Sequence, residues 1–192
     1  MKFFSPPLIV FITGHPATGK TTIGKRLAKE IELPFLCRDD IKETLYDCLG
    51  WSDREWSKML GYASYELLYQ FMELQLSGGY SFVVETNFNP EYANPRIITL
   101  KKRYPFESLQ IHCEADSEIL IERYKSRGRV GGRHPGHIDL QGVNELRERL
   151  QTNSMLHIGC ETIIVNTNDF SMIEQEKLLE EVNKFILISF NR

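Results

Sequence analysis

Eight residues, Gly14-His15-Pro16-Ala17-Thr18-Gly19-Lys20-Thr21, follow the pattern G-x-x-x-x-G-K-[ST]. The two glycines let the backbone close around phosphate oxygens. The N–H groups of the turn and of the helix after it favour an anion there. Lys20 is spaced to reach the β- and γ-phosphates of a nucleoside triphosphate, the Thr21 hydroxyl to ligate Mg²⁺, and Thr22 to touch the α-phosphate. A random chain of this length contains the pattern on the order of once in a hundred times. Here an apolar run precedes it and a helical pattern follows, so the predicted ligand is Mg·ATP.

Moving a phosphoryl group onto a hydroxyl calls for positioning, charge neutralisation and a carboxylate to take the proton. Arg38-Asp39-Asp40 offers two candidates. Asp40 stands three residues before Glu43, a capping-box spacing that suits a helix start. Asp39 is then the better base, and both together could equally do no more than open a helix. Lys42 lies about one helical turn from Asp39, where it can meet an anionic substrate or simply be a solvated surface lysine. Glu85 follows the apolar Phe82-Val83-Val84, a Walker-B-like place for an acid near Mg²⁺ or its water. Thr86 and Asn87 add short polar groups there. Arg123 and Arg127 are four apart, share a helix face, and lead into a Gly- and Arg-rich stretch holding Arg129 and Arg133. That stretch reads as a basic lid over about 123–139, with Arg123 and Arg127 ahead of the other two, or as a solvated loop. His134 and His137 lack a third ligand at standard spacing, so a metal site there is weak. Asn166-Thr167-Asn168-Asp169 lacks the lysine of a guanine-reading motif and suits an Asx turn, whose backbone can also line an adenine pocket.

Alternating strands and helices must hold these groups. Leu8–Ile12 is a continuous apolar run, as in a strand buried on both faces of a parallel sheet. Strands are further predicted at 35–37, 81–84, 109–113 and 162–165. Helices are predicted after Lys20, from Asp40 to about Leu49, and from Asp53 to Ser77. In that last helix, Trp56, Met59, Leu60, Ala63, Leu67, Phe71 and Leu74 form the apolar face. Others run from Pro95 to about Tyr104, from an Asp116 cap to about Arg127, and from a Ser171/Glu174 capping box to the end. The fold class is α/β, a P-loop NTPase fold with a five-stranded, largely parallel sheet flanked by helices. One domain spans 1–192, and possible substrate-binding helices cover about 40–77. Such sheets bind ligands beyond their C-terminal strand ends, where most of the candidate residues fall.

Composition agrees with a soluble domain: 192 residues, formal net charge −3, 42% hydrophobic and 26% charged. The mild negative charge argues against a broad nucleic-acid surface. The four scattered cysteines suggest reduced thiols, and no apolar run is long enough for a membrane span, so a cytoplasmic location is expected.

Gly-x-Pro-Ala-Thr-Gly-Lys-Thr-Thr, Arg38-Asp39-Asp40-Ile41-Lys42 and Glu85-Thr86-Asn87-Phe88-Asn89-Pro90 together resemble the small P-loop kinases. The pattern is similar to the 5′-kinase domain of phage-type polynucleotide kinase, and the broader group includes chloramphenicol phosphotransferase, gluconate kinase and zeta-type toxins. The resemblance covers Leu8 to about Arg133. It implies that Asp39 matches the general base and that the Arg123–Asp139 stretch is the lid. Lys42 stands where polynucleotide kinases carry a substrate-binding Arg, and Glu85 where they carry an Asp. Lys lacks the planar fork of Arg, so both departures count against a nucleic-acid acceptor. The expected activity is ATP-dependent phosphorylation of a hydroxyl on a small molecule or nucleotide. The rivals are a 5′-hydroxyl nucleic-acid kinase and a nucleotide-binding switch without an acceptor. Tyr62, Tyr65 and Tyr69, with Trp51 and Trp56, are candidates to line an acceptor pocket or to serve as packing.

Overall fold

Why the first five residues of β1 (Leu8–Thr13) read as an unbroken apolar run is visible at once: all six residues of the strand are buried, and only the last, Thr13, is polar. Leu8, Val10 and Ile12 face one layer, where α1 (Lys20–Glu30) contributes Ile23, Leu27 and Ala28, and α7 (Gln175–Phe190) contributes Val182 and Phe185. Ile9 and Phe11 face the other, against Leu68 and Met72 of α3 (Arg54–Ser77) and Ile97 of α4 (Pro90–Arg103). A strand with two cores has no polar face to alternate with. The computed structural model describes residues 4–130 and 133–190, without the side chains of 128–130.

The remaining strands are β2 (Phe35–Cys37), β3 (Phe82–Glu85), β4 (Glu107–Glu114) and β5 (Glu161–Asn166). Every pairing is parallel, in the order β2-β3-β1-β4-β5. The chain therefore leaves β1 to one side for β2 and β3, then crosses to the other for β4 and β5. The crevice where that direction reverses opens at the end of β1, directly below the glycine-rich turn. Seven α-helices flank the sheet among the described residues, the others being α2 (Arg38–Leu49), α5 (Ser117–Val130) and α6 (Val143–Arg149). No helix among the described residues is long and apolar enough to cross a membrane.

Several boundaries differ from the sequence expectation. Helix α2 begins at Arg38, with Cys37 at its N-cap, so Asp40 lies inside the first turn rather than capping it. Helix α4 begins at Pro90, with the Asn89 side chain accepting from Glu91 N; Pro95 sits within the helix. Two prolines five apart can each occupy a first turn, and the Asn cap decides between them. Helix α5 continues past Gly128 to Val130, and α7 starts at Gln175, because Ser171 is spent on a single turn capped by Asp169. Helix α6 falls where no helix was expected.

The buried face of α3 is also rotated from the expected stripe. Met59, Phe71 and Leu74 are exposed, whereas Ser57, Gly61 and Ser64 are buried. These small residues leave room for Arg38, Lys42 and Tyr46 of α2, all buried against them. A Cβ on Gly61 would stand 3.4 Å from Lys42 Nζ and 3.8 Å from Arg38 Nη1.

Candidate active site

The turn after β1 is shaped by backbone that only certain residues tolerate. Gly14 has φ +133°, and a Cβ there would lie 2.1 Å from the carbonyl oxygen of Cys113 at the end of β4. Gly19 has φ +79° and is covered by the Phe170 ring, 2.2 Å from where its Cβ would be. Ala17, between them, also takes a positive φ of 69°. Inside the turn, Lys20 Nζ donates to His15 O at 2.7 Å, and Thr18 Oγ1 donates to the same oxygen at 2.9 Å. Lys20 is buried. Burial lowers its pKa, and the charges of Glu85 and Asp39 oppose that.

Strands β1 and β3 lie side by side, with Ile12 level with Glu85. This brings the start of α1 to the end of β3. Thr21 Oγ1 donates to Glu85 Oε2 at 3.0 Å, and Cys37 Sγ donates to that oxygen at 3.1 Å. The thiol's pKa is pushed up by burial and by the Glu85 charge beside it, so it stays a proton donor. Thr21 and Glu85, expected separately as magnesium groups, are thus in direct contact. No cluster of three or more His, Cys, Asp or Glu able to hold a metal exists among the described residues. One hydroxyl and one carboxylate next to a phosphate cradle suit Mg²⁺, which keeps water and phosphate oxygens as its other ligands.

Asp39 sits in the first turn of α2 at the head of β2. Its carboxylate receives Arg38 Nη2 on one oxygen and Arg133 Nη2, at 2.5 Å, on the other. Burial would raise its pKa, but the Arg38 and Arg133 guanidiniums hold it well below the usual carboxylate range. Asp40 turns away and meets Lys25 at 3.4 Å near solvent. Behind Asp39, Lys42 Nζ donates to Ser57 Oγ at 3.1 Å, and burial with the neighbouring Arg38 charge lowers its pKa to about 7. Arg133 also reaches His137 Nδ1 at 3.1 Å, and His137 Nε2 lies 2.9 Å from Glu43 Oε1. His134 stacks on Tyr46, with ring centroids 5.0 Å apart. Both histidines are therefore engaged in docking the 133–137 segment onto α2.

The sequence pattern of a family described as an AAA domain matches residues 9–152. A candidate kinase from Chloroflexus aurantiacus j-10-fl is 36% identical, over 93% of this chain and 98% of that one, and its crystal structure superposes with a TM-score of 0.83. The chain belongs to the small P-loop kinases of this AAA-domain family. A sugar kinase from Janibacter sp. HTCC2649 shares the fold at 19% identity over 94% of each chain, with a TM-score of 0.56. So does a gluconokinase from Sinorhizobium meliloti 1021, at 17% identity over 98% of this chain and 99% of that one, with a TM-score of 0.56. No curated protein matches the chain.

Of the four arginines of this P-loop kinase, the three whose side chains are described occupy different places. Arg123 donates to the carbonyls of Thr167 and Asn168, at 2.8 and 2.9 Å, and its guanidinium lies 4.4 Å from the centroid of the Phe170 ring. Arg127 makes no hydrogen bond among the described residues. Burial lowers its pKa, and it feels the charges of Arg133, Asp139, Asp39 and Glu85. Arg133 holds Asp39. The Arg129 side chain, with Gly131 and Gly132, lies outside the described residues. Helical spacing identifies 123 and 127 as a pair, but it carries no information on a residue beyond the helix, so the prominence of Arg133 had no sequence signal.

Asn87, at the end of β3, accepts the Tyr65 hydroxyl on its carbonyl at 2.7 Å. It borders a cavity of about 810 Å³ that runs from Gly14, His15 and Pro16 out between α3 and α4. Tyr62, Tyr65 and Tyr69 line this cavity. Trp56 and Trp51 do not: Trp56 donates to Gly50 O at 3.0 Å, and Trp51 packs edge-on to His134.

Proposed function

We propose that this kinase transfers the γ-phosphoryl group of Mg·ATP to a hydroxyl of a small molecule or nucleotide. The observation that carries the reading is the convergence, at the ends of β1, β2 and β3, of Lys20, the Thr21–Glu85 pair and an ionised Asp39. The acceptor oxygen attacks the γ-phosphorus, the bond to the β–γ bridging oxygen breaks, and ADP leaves with those electrons. Lys20 and the turn N–H groups meet the charge that builds on the phosphoryl oxygens. Thr21 and Glu85 would hold magnesium, which would supply further charge neutralisation. Asp39 orients the acceptor hydroxyl and takes its proton. With Arg133 displaced by the acceptor, Asp39 keeps only Arg38 beside it and regains basicity, and a loose transition state permits late proton transfer.

Arg127 is the lid cation best placed for the transferred group, because it has no commitment among the described residues. Arg123 supports the nucleotide side through Phe170 and the turn after β5. Arg133 must leave Asp39 before an acceptor hydroxyl can take its place, so the 123–139 stretch opens and closes within a single domain. Lys42 and Asn87 serve the acceptor side from the helices over 40–77 and the end of β3. The cysteines are free thiols, in keeping with a cytoplasmic location.

Lys20→Ala tests the reading at its base. Wild type should show a Mg·ATP-dependent rise in Tm that the variant lacks. An equal rise in both would reject nucleotide binding through this turn.

A further inference from the structure

The cavity between α3 and α4 has a composition that its neighbours do not explain. Two of its lining rings are among the most exposed apolar side chains of the protein: Tyr62 on α3 at 71% and Tyr92 on α4 at 69%. Neither makes an aromatic or cation–π contact among the described residues. The other tyrosines are already covered, Tyr69 by Arg96 at 4.0 Å and Tyr65 by Arg38 at 4.8 Å from the ring centroid. The walls thus present two free aromatic faces beside rings fixed by cations.

The charges along the same walls cancel. Glu66 and Glu91 stand against Arg96 and Arg149, and Arg96 is held by both oxygens of Glu66 at 2.5 and 2.8 Å. Arg149, the one arginine of this lining without a hydrogen bond or ion pair among the described residues, is too little to neutralise a polyanion, which would need a row of free cations. A volume of about 810 Å³ lies toward the upper end of the roughly 300–1,000 Å³ of pockets for drug-sized ligands. The cavity begins at Gly14-His15-Pro16. Its wall residue Tyr65 carries on its face the Arg38 guanidinium that binds Asp39. A ligand seated on the outer rings thus shares a wall, through Tyr65 and Arg38, with Asp39, and shares the first residues of the glycine-rich turn.

We propose that this cavity is the acceptor site and that the acceptor is an uncharged alcohol bearing a flat aromatic or heteroaromatic ring, stacked on Tyr62 and Tyr92. The acceptor role rests on the kinase reading above; the preference for a ring does not. Two polar groups of the wall are already engaged, Asn89 in capping α4 and the Asn87 carbonyl by Tyr65.

Matched probes isolate the ring: phenyl β-glucoside against methyl β-glucoside, and thymidine against 2-deoxyribose. Binding to the full chain is followed by saturation-transfer NMR, with the Mg·ATP rise in Tm measured alongside. The ring-bearing member of each pair should bind at least about ten-fold more tightly, in keeping with the worth of one stacked ring. Tyr62→Ala and Tyr92→Ala should each remove on the order of ten-fold of that preference while leaving the Mg·ATP rise intact. Both positions are exposed, so the variants fold. Equal binding within the pairs, or variants that keep the full preference, would overturn the proposal. So would tighter, salt-steep binding of an eight-residue thymidine oligonucleotide, which would assign the cavity to a nucleic-acid end. Ring preference without any Mg·ATP rise in wild type would leave a ring-binding site but remove its role as acceptor site, and with it the kinase reading.

Discussion

Replacing Asp39 by Asn keeps the shape of the side chain and removes its charge, which isolates what the ion cluster contributes. In the folded protein the carboxylate receives Arg38 on one oxygen and Arg133 on the other, and its side chain is 29% exposed. The amide retains one acceptor oxygen, so at least one guanidinium loses its partner. Arg38 is buried and has a second nitrogen, Nε, already without a hydrogen bond. Removing one partner of a fully buried pair costs about 3–5 kcal/mol. Partial exposure lets water replace some of it, and a charged hydrogen bond alone is worth about 1.5–3 kcal/mol. The expected loss is about 2 kcal/mol, or roughly 4–8 °C in Tm for a chain of this size. Its pH dependence has a definite sign. The folded pKa lies below the unfolded value of about 3.9, so the contribution is fully present above that value and fades as pH falls toward the folded one. The difference in Tm between wild type and Asp39→Asn should be flat from pH 8 to 5 and shrink only below about pH 4. Scanning calorimetry across that range decides. A difference that titrates near pH 6–7, or no difference at pH 7, would refute an ionised Asp39 clamped by two arginines.

Three other outcomes follow from the same geometry. The Lys42 pKa of about 7 lies below the unfolded value of about 10.4, so the cost of burying its charge is full at pH 6 and falls as pH rises through that window; Lys42→Met should raise Tm over wild type at pH 6, and the gain should shrink toward pH 10. Gly19→Ala should abolish the Mg·ATP rise in Tm, and Phe170→Ala in the same chain should relieve the clash but not the positive-φ strain of about 1–2 kcal/mol, leaving the double variant less stable than Phe170→Ala alone in urea unfolding. Glu85→Gln keeps an oxygen for Thr21 and Cys37 but loses the charge; the Mg²⁺ concentration that half-saturates the ATP-induced rise in Tm should increase by roughly 10–100-fold, with little change in Tm without nucleotide.

What could be read from the chain depended on whether one physical rule governed a segment. At β1 a single rule did: five buried residues, Leu8–Ile12, with a core on each side give an unbroken apolar run, and the glycine-rich turn after the strand is fixed by its own backbone needs. Helix α3 obeyed two rules at once. Its apolar stripe pointed to Met59, Phe71 and Leu74 as the inner face, but the inner face is where Ser57, Gly61 and Ser64 make room for the long cationic side chains of α2. A hydrophobic pattern does not register a core built from arginine, lysine and serine. The choice between Asp39 and Asp40 shows the opposite case. The capping argument behind it fails, since neither is the N-cap, yet Asp39 is the one that meets the cation cluster. In a helix beginning at Arg38, positions 39 and 40 are about 100° apart, so only one can face the end of the sheet.

The cluster around Asp39 also explains why such cations are buried at all. Arg38, Lys42 and Arg133 surround one carboxylate, with Glu43 and Asp139 at the margin, so the site carries more positive than negative charge at its centre. In the docked arrangement, burial and then the Arg38 charge depress the Lys42 pKa, and Arg133 is tied to Asp39. On the proposed function, an arriving triphosphate would bring several negative charges to Lys20 and Arg127, both of which feel the Asp39 charge, and would compete for Arg133. On the proposed mechanism the Asp39–Arg133 ion pair and the nucleotide would then draw on the same guanidinium. Under that proposal, freeing Asp39 for an acceptor hydroxyl and closing Arg133 toward phosphate would be one movement, which would tie acceptance of the proton to the presence of the donor.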